Sequence, residues 1–294
     1  MADFLIAGLG EILWDVLADS EEIGGAPINF AYHAGILGAD SIAISTIGND
    51  ERGKRAIKEL TGRGLNLETV SIDHEHATGF VEATIDTKGV AHYNFPDNIA
   101  WDYLTLNDKA LSLAPKVDAV CFGTLAQRSE KSRAAIHAFL EEAPQALKVY
   151  DMNLRQHFYS EEVIRLSLEK AHVLKLNDDE IRTVAPMFNL SGSEHNMLSE
   201  LHNKFDLKYS VLTRGGNGSL LMGDEKVVES SGVKVQNMQD TIGAGDSFTA
   251  STIIGLLQGH SLEDISDHAN RLAAYVCSCK GAMPAIPAEY KLIK

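Results

Sequence analysis

The chain has 294 residues, 45% hydrophobic and 23% charged, the composition of a soluble globular protein and a length suited to one α/β domain with an insertion. A formal net charge of −15 excludes nucleic acid and anionic membrane as general partners, because both repel it, but leaves local nucleotide binding open. No apolar run approaches a membrane span, the first residues lack the charged region and cleavage site of a signal peptide, and Cys121, Cys277 and Cys279 form no disulfide framework, so a cytoplasmic protein is expected.

Along the chain, residues 4–9 read as a buried strand. Residues 27–37 are helical in pattern, with Pro27 near the start and Gly38 just past the end. Residues 41–47 alternate like a strand, and 51–60 read as a helix. Residues 80–85 and 90–95 are short alternating strands joined by Asp86-Thr-Lys-Gly89, a hairpin signal. Part of the 70–100 stretch, with residues near 11–18, is expected to form a small separate sheet. From about residue 115, strands at 117–122, 147–150, 173–176 and 209–213 alternate with helices at 129–140, 161–170 and 178–185. That alternation predicts a mainly parallel sheet with helices on both faces and ligands at the carboxyl ends of its strands. One domain, 1–294, is expected.

The chemistry concentrates at Asp240-Thr-Ile-Gly-Ala-Gly-Asp-Ser-Phe248, ahead of an apolar run long enough for a helix. Gly243-Ala244-Gly245 would then present unpaired N–H groups at a helix N-terminus, an anion site. Asp246 beside such an anion is electrostatically unfavourable, which suggests a catalytic role in which it takes a proton from a hydroxyl while the N–H groups stabilise a phosphoryl group. The plainer reading is a glycine turn with a first-turn acid. Asp15, at a strand end, can accept hydrogen bonds from neighbouring hydroxyls. Gly24-Gly25 lets backbone approach a ligand, and Asn29 both donates and accepts, which suits a polyol. Arg155, in Asp151-Met-Asn153-Leu-Arg155, could clamp a carboxylate or phosphate, or form only a surface ion pair. Asn177-Asp-Asp-Glu180 is either a phosphate and magnesium motif, with Glu180 acting through water, or a capping box, or both. Thr213-Arg-Gly215-Gly216-Asn-Gly218 exposes backbone N–H groups or makes a hairpin turn.

Two motifs together, Gly24-Gly25-Ala26-Pro27-Ile28-Asn29-Phe30-Ala31 and Asp240-Thr-Ile-Gly-Ala-Gly-Asp246, resemble the two signatures of the ribokinase-like (PfkB) carbohydrate kinases. The resemblance runs from about Gly8 to Pro287 and is nearest to the bacterial fructokinases. It implies a ribokinase-like three-layer α/β sandwich with a β-sheet lid. It also implies ATP and Mg²⁺ as cofactors, a small sugar as substrate, and Asp246 as general base. Asn270 would lie beside adenine, and Thr213, Gly215, Gly216, Gly218 and Asn177 beside the phosphates and ribose. Gln127 stands where ribokinases carry a sugar-contacting acid. Asp240, Ile242, Val276, Cys279 and Gly281 align with the ribokinase potassium loop, which here has Ala285 in place of a serine ligand. A homodimer paired through the lid is compatible with the fold, and 2-keto-3-deoxygluconate is the alternative substrate because the Asp151–Arg155 segment also resembles its kinases. A sugar-binding module without activity and a nicotinamide-dependent oxidoreductase are the remaining alternatives.

Three decoys are set aside. Gly48-Asn-Asp-Glu-Arg-Gly53-Lys54-Arg55 nearly spells a P-loop but has Arg55 where a hydroxyl should hold magnesium. Gly8-Leu-Gly10 lacks the third glycine of a dinucleotide fingerprint, because Leu13 replaces it. His74 and His76 have no third metal ligand nearby.

Overall fold

The computed structural model describes residues 4–16, 20–85, 91–223 and 226–292. In chain order the strands are β1 (Leu5–Leu9), β2 (Leu13–Val16), β3 (Glu21–Gly24), β4 (Asp40–Ile44), β5 (Thr46–Gly48), β6 (Ser71–Asp73), β7 (Gly79–Ile85), β8 (Ala91–Asn94), β9 (Ala119–Phe122), β10 (Leu147–Asp151), β11 (Val173–Asn177), β12 (Tyr209–Thr213), β13 (Ser219–Gly223) and β14 (Lys226–Ser230). The helices are α1 (Ala26–Ile36), α2 (Glu51–Gly62), α3 (Asp108–Leu113), α4 (Glu130–Glu142), α5 (Glu161–Lys170), α6 (Asp178–Phe188), α7 (Glu194–Lys204), α8 (Ala244–Leu257) and α9 (Leu262–Cys277).

Eight strands form the main sheet in the order β14-β13-β12-β11-β10-β9-β1-β4. The six from β12 to β4 run parallel, and β13 and β14 extend the edge antiparallel. The parallel strands read as unbroken apolar runs because both faces are covered. On one face Phe30 and Ala34 of α1, Ile253 and Ile254 of α8 and Leu272 of α9 pack on Ile6, Cys121 and Val149. On the other, Ile136 and Phe139 of α4, Ile164 of α5, Ile181 of α6 and Leu198 of α7 pack on Val120, Tyr150 and Leu174. This is the three-layer α/β architecture expected.

A separate four-stranded sheet, β3-β2-β7-β8, is the small sheet expected; it is called the lid sheet for its place, with no role assigned. Its β3 edge is tied to α2 through Glu21, which accepts from Arg52 at 2.8 Å and Arg55 at 2.5 Å. Residues 86–90, the expected hairpin turn, and 17–19 lie outside the described residues.

The expected strand at 41–47 divides in two. Residues through Ile44 join the main sheet beside β1, whereas Thr46–Gly48 leave it to pair in parallel with β6 in a third, two-stranded sheet. Ser71–Asp73 therefore belongs to that sheet and not to the lid. The lid takes β3 instead, which no expectation covered, and α7 was likewise not anticipated.

Candidate active site

The site is built around the start of α8. Every residue from Ser247 to Gly255 is buried, so the helix is gripped on all sides and its N-terminus has a fixed place. Gly243 caps it with φ +78°, and a Cβ there would lie 2.3 Å from the Ala282 carbonyl oxygen, so only glycine fits both the dihedral and the space. The first intrahelical bond runs from Ser247 N to Gly243 O at 2.9 Å. The Gly245 and Asp246 N–H groups precede it and stand open to an anion, whereas Ala244 N is already turned toward Thr241 O at 3.3 Å. Asp246 accepts from Asn29 Nδ2 at 2.8 Å, a contact across 217 residues of chain. Burial, and then the Asp151 charge, push the Asp246 carboxyl up to about 6, with Lys175, Asn29 and Arg155 opposing. A carboxylate with that value is ionised at neutral pH yet still a competent base.

Asp246 and these glycines open into a cavity of about 790 Å³ that runs from the lid to the glycine loop after β12. At the lid end it is lined by Glu11, Asp15, Gly25, Asn29 and Arg155, with Leu13, Val81, Tyr93, Phe95 and Leu125 supplying apolar walls. Gly25 adopts φ +117° and sits where a Cβ would meet Glu11 O at 2.3 Å. Glu11 Oε2 and Asn29 Oδ1 are buried without a hydrogen-bond partner among the described residues. Burial pushes Glu11 up to about 7 and Asp15 up to about 6. Sequence reasoning missed Glu11, although it lies in the same Gly10-Glu-Ile-Leu-Trp-Asp15 segment as Asp15. Arg155 is exposed and donates to Leu154 O at 3.0 Å, leaving most of its fork free.

Gln127 is corrected: it does not line the cavity. It is fully buried, donating to Gly123 O at 2.8 Å and Ser167 Oγ at 2.9 Å, with His137 near its oxygen, which makes it a packing residue between β9, α4 and α5.

At the other end, Thr213, Gly215, Gly216, Gly218 and Asn270 line the cavity together with Val233, Val235, Met238, Ala273 and Cys277. Glycine backbone beside an apolar slot is a surface that a nucleotide can fit. The glycine loop is the β12–β13 turn, as the plainer reading has it, and it also lines the cavity. Asn270 Nδ2 donates to Ser219 Oγ and Ser266 O, both at 2.8 Å, which braces α9 against β13.

Asn177 and Glu180 form a full capping box: Asn177 Oδ1 accepts from Asp179 N and Glu180 N, and Glu180 Oε2 accepts from Asn177 N. Glu180 Oε1 takes Leu154 N at 2.9 Å, which ties α6 to the Arg155 loop. Glu180 is thus buried and occupied, and the carboxylates that reach the cavity here are Asp178 and Asp179. No cluster of three metal-ligating side chains exists among the described residues. Magnesium keeps its waters and is held chiefly by substrate phosphates with one or two protein carboxylates, so it would need no such cluster.

Asp240, Val276, Cys279 and Gly281 lie outside the cavity, just behind the start of α8, whereas Ile242 lines it. Asp240 Oδ1 accepts from Thr241 N and Ile242 N, and Oδ2 from Gly281 N at 3.3 Å, so its carboxylate is engaged by backbone.

Fold and site together define a sugar kinase of the phosphotransferase class, and residues 10–289 match the pfkB family carbohydrate kinases, to which the chain belongs. It is 27% identical to a fructokinase of Escherichia coli over 97% of this chain and 96% of that one, and 28% identical to a probable fructokinase of Arabidopsis thaliana over 96% and 94%. An uncharacterized sugar kinase of Pyrococcus horikoshii superposes with a TM-score of 0.81 at 25% identity, covering 95% and 93% of the two chains. A fructokinase of Xylella fastidiosa with bound ATP superposes with a TM-score of 0.85 at 19% identity, over 96% and 95%.

Proposed function

We propose that the protein transfers the γ-phosphoryl group of ATP to a hydroxyl of a small neutral sugar, fructose first among them. The observation that carries this reading is Asp246. It is held by Asn29 at 2.8 Å, beside open N–H groups, where the acid-lined and glycine-lined halves of the cavity meet. In the sugar half, three carboxylates (Glu11, Asp15 and Asp246) face the Arg155 guanidinium. A neutral polyol gains hydrogen bonds there, whereas a sugar acid or sugar phosphate brings a further negative charge against them. This disfavours 2-keto-3-deoxygluconate and a sugar phosphate as acceptors.

Asp15, Glu11 and Asn29 would grip sugar hydroxyls, with Gly25 giving close approach and Arg155 assisting. Asp246 takes the hydroxyl proton as the sugar oxygen bonds to the γ-phosphorus and the bond to the β–γ bridging oxygen breaks. The open Gly245 and Asp246 N–H groups and the dipole of α8 stabilise the charge on the transferring group. Magnesium would lie on the phosphates near Asp178 and Asn177 and supply charge neutralisation. Closure of the lid sheet excludes water, the competing acceptor. No helix among the described residues is long and apolar enough to cross a membrane, and free Cys121, Cys277 and Cys279 suit a reducing cytoplasm.

The test is ADP release with ATP·Mg²⁺ against fructose, ribose, 2-keto-3-deoxygluconate, fructose 6-phosphate and a nucleoside. Turnover led by fructose supports the reading, and turnover led by either charged acceptor overturns the electrostatic argument.

A further inference from the structure

Lys175 is a residue that neither motif contains, and its position asks for a use. It sits near the carboxyl end of β11 and is buried, only 7% exposed, yet it lines the cavity. Nζ lies 3.0 Å from Asp151 Oδ1. Asp151 is held from the far side by Thr249 Oγ1 of α8, which donates to Oδ2 at 2.9 Å. Thr249 and Asp151 thereby aim the lysine toward the start of α8.

The approach is close. A Cβ built on Gly245 would stand 3.0 Å from Lys175 Nζ, so any side chain at 245 would press on the ammonium. The second glycine of the motif therefore makes room for a cation, as well as for the backbone, at the helix N-terminus. An ammonium carries three donors, and among the described residues only the one to Asp151 is taken. Of the ion pair, Lys175 reaches the cavity and Asp151 does not. Burial works against the charge on Lys175, but Asp151, Glu180 and Asp246 outweigh it and hold the ammonium above the ordinary lysine value. A purely structural buried pair gives little net stability and has no need of a cavity wall.

We propose that Lys175 is a further catalytic residue: its ammonium contacts the transferring γ-phosphoryl group beside the Gly245 N–H and completes the anion hole. The proposal rests on the kinase reading above and deepens it. The lysine stays protonated throughout. Asp246 receives the hydroxyl proton, one P–O bond forms to the sugar, the bond to the bridging oxygen breaks with its electron pair leaving on ADP, and the ammonium offsets charge on the equatorial oxygens.

The experiment compares wild type, K175R, K175M and the double variant K175M/D151N, which removes both charges and so keeps the core free of an unpaired carboxylate. Calorimetric affinities for Mg·AMP-PNP and Mg·ADP are measured for each, beside steady-state kinetics with fructose. The double variant is expected to lose about 10-fold or more in AMP-PNP affinity while ADP affinity holds within about twofold, since a charge-assisted contact to the γ-group is missing. Its kcat should fall by about 10²-fold or more with sugar KM nearly unchanged, the loss typical of one anion-hole donor. K175R should recover part of both. Equal weakening of the two nucleotides, or a kcat within about threefold of wild type, would overturn the role. Wild-type turnover on the sugar panel decides the kinase reading separately, because the nucleotide comparison needs no acceptor.

Discussion

Replacing Asp246 by Asn tests the base and its setting together. The change is nearly isosteric, and the amide carbonyl of the new side chain can still accept from Asn29 Nδ2, which holds Asp246 Oδ2 at 2.8 Å in the native chain. Sugar binding should therefore change little. The lost base should lower kcat by about 10² to 10⁴-fold, roughly 3–5 kcal/mol of barrier. Stability should move the other way. The carboxyl stands at about 6 against an ordinary 3.8, because burial and Asp151 penalise its charge. That gap corresponds to about 3 kcal/mol at about 1.4 kcal/mol per pH unit, and to about 1–3 once its access to the cavity is allowed for. The folded value lies above the unfolded one, so the penalty is absent below about pH 4, grows between about pH 4 and 6, and is constant above. Asp246→Asn should thus raise Tm by a few degrees at pH 7.5 and hardly at all at pH 4. Coupled ADP release and thermal unfolding at the two pH values measure both effects. Wild-type turnover would refute the base assignment, and a Tm that falls at pH 7.5 would refute the electrostatic argument.

Other expectations follow from the same geometry. The kcat/KM for the sugar should climb with pH and level off above about pH 8. The limb should be broader than a single ionisation, because Glu11 at about 7 and Asp15 at about 6 titrate alongside Asp246; a flat profile from pH 5 to 8 contradicts this. Gly243→Ala forces φ +78° on a side chain 2.3 Å from Ala282 O and should cost about 2 kcal/mol or more of stability along with most activity, read by denaturant unfolding and kcat. Added K⁺ should change turnover less than about twofold at constant ionic strength, since the Asp240 carboxylate already accepts from the Thr241, Ile242 and Gly281 N–H groups; a strong K⁺ requirement would show that the loop rearranges around an ion.

The main layers were legible because parallel strands and their crossover helices carry the strongest sequence signals, unbroken apolar runs alternating with amphipathic ones. What escaped has physical causes. The 41–47 stretch alternates throughout, yet changes sheets at Ser45, because pairing with β6 is a tertiary choice that local periodicity does not encode. Residues 194–204 have an N-cap at Ser193, but only Met197, Leu198 and Leu201 are buried, a stripe too thin to stand out. Residues 21–24 form a lid edge of only four residues, two adjacent glutamates followed by Ile23 and Gly24, so nothing in them reads as a strand.

The site shows the same division more sharply. Glycine motifs and the acid after them are visible because they break composition locally, whereas Lys175 is one charge inside an apolar strand, and Glu11 is one acid among several near the N-terminus. Each acquires meaning only from residues far along the chain. Asp151, 24 residues before Lys175, and Thr249 of α8 orient the ammonium against Gly245. Gly25 packs on Glu11, and Asn29 of the first motif reaches Asp246 of the second. Gln127 illustrates the converse: its match to the place of a sugar-contacting acid in ribokinases suggested a ligand contact, but its amide finds partners in Gly123 and Ser167 and does not reach the cavity. A polar side chain at a strand end can meet a ligand only if the fold leaves it hydrogen-bonding capacity to spare, and Glu11 Oε2, Asn29 Oδ1 and two donors of Lys175 have that capacity at the wall of this cavity.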